Sequence, residues 1–268
     1  MLKLFLPEVA SAHAEQIDQL MGWMHWLMLV LFIGWSLLFA YVLIRFRRRR
    51  NPTADYRGLQ SHASNWVEGA VAVAEVILLA AFSIPLYSAR VDDLPSKDEA
   101  LEVRIVAEQF AWNIHYPGAD GVFGRTDPSL VDAETNPLGR DGSDPAGDDD
   151  VTTVNQLHLE VDRPVLIHLS TKDVIHSFNI PEMRVKQDAV PGMNIPVWFV
   201  PTKTSADLTA GRQGERSGGF EIACTQLCGM GHYRMRGFVT VHSTDDFKAW
   251  MAEQEEALST SEEDDFWG

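Results

Sequence analysis

The sequence predicts a membrane-anchored, all-β protein, in which a two-helix transmembrane hairpin is followed by a β-sandwich or Greek-key barrel. Two apolar runs near the N-terminus, an arginine block between them, and a series of short alternating segments after them carry this reading. Residues 23–44 contain no Asp, Glu, Lys or Arg. At ~1.5 Å rise per residue such a run crosses a ~30 Å hydrocarbon core, and it is too long for most buried soluble helices. Residues 66–87 form the second run, apolar apart from Glu68 and Glu75. Arg45-Phe-Arg47-Arg48-Arg49-Arg50 lies between the two and marks the connecting loop as cytoplasmic. Residues 1–22 and the large C-terminal part are then expected outside the cytoplasm.

Beyond the hairpin the hydrophobic period falls to two. Leu101, Val103, Ile105 and Ala107 share one face of a strand, as do Leu157, Leu159 and Val161. Residues 165–169, 197–200, 220–223 and 238–241 are similar, separated by Pro- and Gly-containing turns. Residues 118–150 interrupt this pattern with a Gly/Asp/Pro-rich stretch, Asp141-Gly-Ser-Asp-Pro-Ala-Gly-Asp-Asp-Asp, expected as a solvated loop. A calcium loop is the alternative, although the spacing is not that of an EF-hand. Thr244 is the expected N-cap of a C-terminal helix, with Asp245 and Asp246 in its first turn and Phe247, Trp250 and Met251 as an apolar docking stripe. An acidic tail from Ser259 is expected to be loose. The organisation is therefore an exported N-terminal segment (1–22), a helical hairpin (23–90), a β domain (91–243) with its acidic insertion (118–150), and a C-terminal helix and tail (244–268). Met1-Leu-Lys3-Leu-Phe-Leu with Ala10-Ser-Ala-His-Ala has some likeness to a signal peptide, but its apolar core is short and Pro7 and Glu8 interrupt it.

The 268 residues carry a formal charge of −16 and two cysteines, which excludes a disulfide-stapled scaffold. The acid excess argues against nucleic-acid binding and suits a basic partner approached electrostatically.

The chemistry concentrates in His176 and in Cys224-Thr-Gln226-Leu-Cys228-Gly-Met-Gly-His232-Tyr-Arg-Met235. A disulfide or a Cys/His zinc site would explain part of this pattern. Zinc rarely takes a thioether, whereas thiolate, thioether and imidazole together select copper. A copper chaperone would carry its cysteines early, in a strand-to-helix turn, and here they lie between two strand-like runs near the C-terminus. One Cys, one His and one Met would make a mononuclear blue-copper loop, and the second thiolate with a second histidine supplies enough ligands for two ions.

The spacing Cys-x3-Cys-x3-His-x2-Met with an upstream His-Ser-aromatic resembles the CuA centre of cytochrome c oxidase subunit II. Asp173-Val-Ile-His176-Ser-Phe-Asn-Ile-Pro matches that family's first ligand strand, and Val185-Lys-Gln-Asp188-Ala-Val-Pro191-Gly192 the loop after it. The resemblance implies a cupredoxin-like Greek-key β-barrel, two copper ions bridged by Cys224 and Cys228, one completed by His176 and Met235 and the other by His232 and the backbone carbonyl of Gln226. It implies electron relay from cytochrome c to haem in subunit I, which would reduce oxygen and translocate protons, with subunit III as a further partner. The expected location is a bacterial inner membrane rather than a mitochondrial one, with the copper domain on the periplasmic side.

Three departures from the family pattern matter. Gln226 stands where the family has a glutamate that reaches magnesium, which argues against magnesium here. Gln109-Phe110-Ala111-Trp112 replaces the family's Gln-Trp-aromatic-Trp, so Phe110 stands where a tryptophan receives electrons. Glu68 matches a glutamate linked to proton entry, and Glu75, at i+7 on the same helix face, stands where the family has proline. Quinol-oxidase relatives lack the ligand set, and a nitrous oxide reductase would need a large additional domain. No Cys-x-x-Cys-His occurs, so the donor is expected to be a separate protein.

Overall fold

The computed structural model describes residues 6–53, 56–58, 60–132, 135–210 and 219–266, with the backbone alone for 209–210 and 259–266. The start of the signal-like stretch, 1–5, lies outside the described residues. Two compact units result, a helical one over Gln16–Ala89 and a β unit that takes in the segment up to Glu15 and the described residues from Arg90 onward.

In the helical unit, α1 (Ala14–Arg45) runs on to the first arginine, and α2 (Ala63–Ile77) continues through a π-helical segment, Leu78–Ser83, into α3 (Ile84–Val91). Both helical stretches are long and apolar enough to cross a membrane by length and composition. Their apolar side chains face outward, Phe32, Trp35 and Leu37 among them. A water-facing helix with such a surface would be a large apolar patch, so lipid or neighbouring helices must cover it.

The β unit consists of two five-stranded sheets, ordered β3-β2-β1-β5-β8 and β4-β10-β9-β6-β7. The strands are β1 (Leu101–Glu108), β2 (Ala111–Tyr116), β3 (Val151–Val154), β4 (Gln156–Glu160), β5 (Val165–Thr171), β6 (His176–Ile180), β7 (Val185–Ala189), β8 (Ile195–Phe199), β9 (Phe220–Cys224) and β10 (Arg236–His242). β1 pairs β5, and β10 pairs β4, in parallel, while the remaining pairs are antiparallel. Alternation builds the core: Val103, Ile105 and Ala107 of one sheet meet Ile222, Val239 and Val241 of the other, with Trp112, Tyr116, Phe178 and Phe220 filling the centre. Residues 185–189, expected as loop, form β7 against β6, pairing His176 with Ala189 and Phe178 with Gln187. Val185 and Ala189 are buried there while Lys186 and Asp188 face out, the period of a half-buried strand.

The acidic insertion is wired internally. Asp127 accepts from the Ser129 amide, Asp141 from Ser143, Asp144 from the Arg125 amide, and Asp149 from Ala119 and Asp120. Local Asx turns at Asp127 and Asp141 and longer-range amide contacts at Asp144 and Asp149 therefore occupy these carboxylates. Asp150 anchors the loop in the unit, 2.6 Å from His115 Nε2, both side chains buried.

The segment before α1 packs on the β unit, with Ala10 and Ala14 fully buried and the Ser11 hydroxyl donating to the Met183 carbonyl at 2.7 Å. After the short α4 (Ser205–Ala210), the last helix, α5 (Thr244–Phe266), is capped by Ser243 rather than Thr244. The Asp246 amide donates to Ser243 Oγ, and that hydroxyl donates to the Asp246 carboxylate at 2.7 Å, an N-cap one residue earlier than expected. The helical backbone also extends through most of the stretch expected to be loose. Phe247 is buried against the sheet, and Trp250 lies flat on His158, ring centroids 4.1 Å apart.

Candidate metal centre

His176 opens β6, Cys224 closes β9, and these strands pair at Phe178↔Cys224 and Asn179↔Ala223. The loop from Cys224 to Met235 is pinched shut by the β9–β10 pairing of Ala223 with Arg236 and by the Cys224 amide donating to the Met235 carbonyl at 3.2 Å. The antiparallel neck thus sets Cys224 and Met235 side by side. Within the loop, a short 3-10 turn over His232–Arg234 brings His232 back towards Cys228. Sequence spacing becomes a cluster because the sheet register fixes both ends of the loop.

The donor atoms converge. Cys224 Sγ and Cys228 Sγ are 3.8 Å apart, His232 Nδ1 is 3.7 Å from Cys228 Sγ, and Met235 Sδ is 3.7 Å from Cys228 Sγ. His176 Nδ1 lies 3.1 Å from Met235 Sδ and 4.0 Å from Cys224 Sγ, and the Gln226 carbonyl oxygen is 3.2 Å from Cys224 Sγ. Both cysteines are free, and their separation is far beyond the ~2.05 Å of a disulfide. Among the described residues, His176, Cys224 and Cys228 form the group of His, Cys and acidic side chains whose ligand atoms lie close enough for one ion. Every side chain expected from the motif is thereby brought together, with the Gln226 carbonyl beside them. The set of two thiols, a thioether, two imidazoles and one carbonyl is soft, which suits copper and fits poorly to magnesium or calcium.

Surrounding groups hold these donors in position. His176 is fully buried, and its Nε2 lies 2.8 Å from Asp173 Oδ1. A carboxylate there accepts a hydrogen bond from Nε2–H, so the lone pair is on Nδ1, the atom facing Met235 and Cys224. Burial opposes ionisation of Asp173, yet hydrogen bonds from His176 and from the Gln109 and Val174 amides outweigh it and hold the carboxyl below its ordinary range. Burial first, and then Cys224, pushes the Cys228 thiol up to about 11. A metal entering this site therefore has to displace the proton of the Cys228 thiol.

Gln109 and Phe110 clamp the loop from the first sheet, a role that the motif alone does not reveal. Gln109 Nε2 donates to the Cys228 carbonyl, and the Phe110 ring lies against Gly229 and Gly231. A methyl group at Gly231 would collide with that ring, and Gly229 has φ +135, so neither position accepts an ordinary side chain. The paired glycines of Cys-Gly-Met-Gly-His are the sequence signal for this contact. Trp112 walls the other side, edge-on to His176 at 6.2 Å between ring centroids.

A family model described as cytochrome C oxidase subunit II, periplasmic domain, matches residues 101–242, which is more than half of the chain. The chain belongs to the cytochrome c oxidase subunit II family. Among relatives, the alternative cytochrome c oxidase subunit 2 of Bradyrhizobium diazoefficiens is 32% identical over 239 residues, covering 89% of this chain and 80% of that protein. Cytochrome c oxidase subunit 2 of Synechocystis is 28% identical over 264 residues, 92% of this chain and 75% of that one. The solved periplasmic domain of subunit II from Bradyrhizobium japonicum aligns with 62% of this chain and 99% of its own at 24% identity, with a TM-score of 0.41. The family is that of the copper-binding oxidase subunit, and the cluster of His176, Cys224 and Cys228 is its candidate site in this subunit II.

Around the cluster, this subunit II presents Leu227, Met230 and Tyr233 as an exposed apolar rim, with His232 half-buried behind it. Glu68 and Glu75 lie elsewhere, on exposed positions of α2, and take no part in the cluster.

Proposed function

We propose that this chain is the electron-entry subunit of a respiratory cytochrome c oxidase. It takes electrons from cytochrome c outside the membrane and passes them to haem in subunit I, where oxygen is reduced to water with proton translocation. The convergence of His176, Cys224, Cys228, His232, Met235 and the Gln226 carbonyl carries this reading. Cys224 and Cys228 would bridge two copper ions, with His176 and Met235 completing one and His232 and the Gln226 carbonyl the other. The 3.1 Å approach of His176 Nδ1 to Met235 Sδ supports that division. When bound, the copper pair would supply a one-electron store.

The chain's own residues keep such a store from rearranging. Asp173 holds the His176 ring by its Nε2 proton, and Gln109 and Phe110 hold the loop. Burial of His176, Cys228 and Met235 keeps water away from the inner side. A closed donor set leaves no open position for a substrate, which favours relay over chemistry at the metal. Gln226 offers no carboxylate for magnesium.

The apolar rim of Leu227, Met230 and Tyr233 suits a lasting contact with subunit I, and His232 behind it is the outlet in this reading. The remaining acid excess, including exposed Asp188 on β7, attracts a basic cytochrome c. The hairpin anchors the chain in a bacterial inner membrane beside subunits I and III, with the copper domain periplasmic. An acidic side chain within the bilayer costs ~2.5–3.5 kcal/mol on insertion scales, so the α2 face with Glu68 and Glu75 meets protein or water, where both can deliver protons.

The test is stopped-flow reduction of the copper-loaded chain by a reduced basic cytochrome c. Bleaching of the copper absorbance should follow second-order kinetics and slow as salt rises, because screening shortens exposed interactions to ~8 Å at physiological ionic strength. A centre that cytochrome c leaves oxidised contradicts the relay role, and a rate independent of salt assigns the donor to a permanent complex.

A further inference from the structure

The acidic chain carries one dense positive block, and nothing in the metal centre uses it. Arg45, Arg47, Arg48, Arg49 and Arg50 follow directly on the apolar run that ends at Ile44, and all are exposed. Their turn is built rather than frayed. The Arg50 and Asn51 amides donate to the Arg47 carbonyl at 2.8 and 3.1 Å, and Arg45 Nη1 donates to Asn51 Oδ1 at 3.2 Å while Asn51 Nδ2 returns to the Arg45 carbonyl. Among the described residues no carboxylate pairs with these guanidinium groups, although the chain has 38 acidic residues.

An insertion signal alone would need positive charge near the helix end, without a fixed turn to present it. Like charges packed at adjacent positions repel one another, and a counter-anion relieves that repulsion. The anion layer within reach of a block that abuts the hydrocarbon run is the headgroup layer. Guanidinium offers forked donors that match phosphate oxygens. Phe46 and, at the start of the second apolar run, Trp66 are exposed aromatics of the kind that settle at the same level.

We infer that the Arg45–Arg50 turn is a binding site for the phosphates of anionic phospholipid headgroups, phosphatidylglycerol being the simplest. This rests on the membrane-anchor reading above. Each basic residue near such a surface is worth roughly fivefold in partition, so removing several should be easily measured.

The experiment uses the full, copper-loaded chain in mixed micelles of phosphatidylglycerol and phosphatidylcholine, with retained lipid counted by native mass spectrometry. Micelles have no sides, so a change of insertion topology cannot mimic the result. The wild type should retain phosphatidylglycerol preferentially. The Arg47→Gln, Arg48→Gln, Arg49→Gln, Arg50→Gln variant should lose at least about tenfold of that preference with its copper absorbance unchanged, and the matching four-lysine variant should keep most of it. Equal retention of the two lipids by the wild type would leave the arginines to a neighbouring protein subunit and overturn the assignment. So would an unchanged preference in the glutamine variant, or displacement of the lipid by inorganic phosphate at equal concentration. Release of the wild-type chain from bilayers by alkaline carbonate would show that the anchor reading itself had failed, and the lipid site with it.

Discussion

Cys224 and Cys228, 3.8 Å apart and unbonded, sit between an imidazole and a thioether on one side and a second imidazole on the other. If both sulfurs are shared by two ions, Cys228→Ser should reduce the centre to one copper or none, whereas Gln226→Ala, which leaves the backbone oxygen in place, should keep the copper content with small spectral shifts. Copper analysis and absorbance of the two variants side by side check this, and full copper retention in Cys228→Ser would contradict the bridging role. Asp173 acts one step away, through the His176 tautomer. Asp173→Ala should lower copper affinity by ~10–100-fold in chelator competition, the usual cost of losing a carboxylate behind a metal-bound histidine. The candidate donors are legible in the sequence because soft side chains are rare and all but His176 lie within one loop, Cys224 to Met235. Gln109 and Phe110 are not legible in this role, since their contacts with Cys228, Gly229 and Gly231 join residues from different sheets.

Elements divide in the same way between local and long-range causes. The strands from β4 onward that alternate cleanly, such as β9 and β10, are readable from period two alone, whereas β7 reads as loop because its pattern is short and ends at Pro191 and Gly192. The segment before α1 gives no local signal that Ala10 will be buried in the β unit. Helix α5 is readable as an amphipathic stretch, and its seat is set by His158, His242 and Trp250. His158 Nδ1 lies 2.8 Å from His242 Nε2, and the Trp250 ring covers His158. Trp250→Ala should destabilise the β unit by about 2 kcal/mol, less than the ~3–5 of a fully buried tryptophan, as read from urea unfolding. Burial, and then the neighbouring His242, lowers His158 to about 4. Burial also lowers His242, with Asp246 opposing it. Because the folded values lie below the ordinary ~6.5, the unfolded chain binds more protons as pH falls. Stability should therefore be fully present above about pH 6.5 and decline towards pH 4, and His158→Gln should flatten that decline. An equally steep acid loss in His158→Gln would assign it to other groups.

At the scale of the whole molecule, a chain with net charge −16 combines two apolar helical stretches with a β unit whose loop gathers soft donors. Exposed apolar helices, an apolar rim beside a closed donor set, and an acidic remainder are the properties of a subunit that works against partners on several sides. Each is explained by the relay reading, and the exposed apolar helices and rim would be liabilities in a protein that works alone. All of this depends on the donor cluster holding two coppers rather than a zinc ion, a single copper or a disulfide. The most direct measurement is the metal content of the purified, copper-reconstituted full chain, taken together with its absorbance and electron paramagnetic resonance spectra. Two coppers per chain are expected, with the purple, mixed-valence spectrum of one unpaired electron shared equally by both ions. One copper per chain with a localised spectrum, or zinc alone, would contradict the two-copper centre.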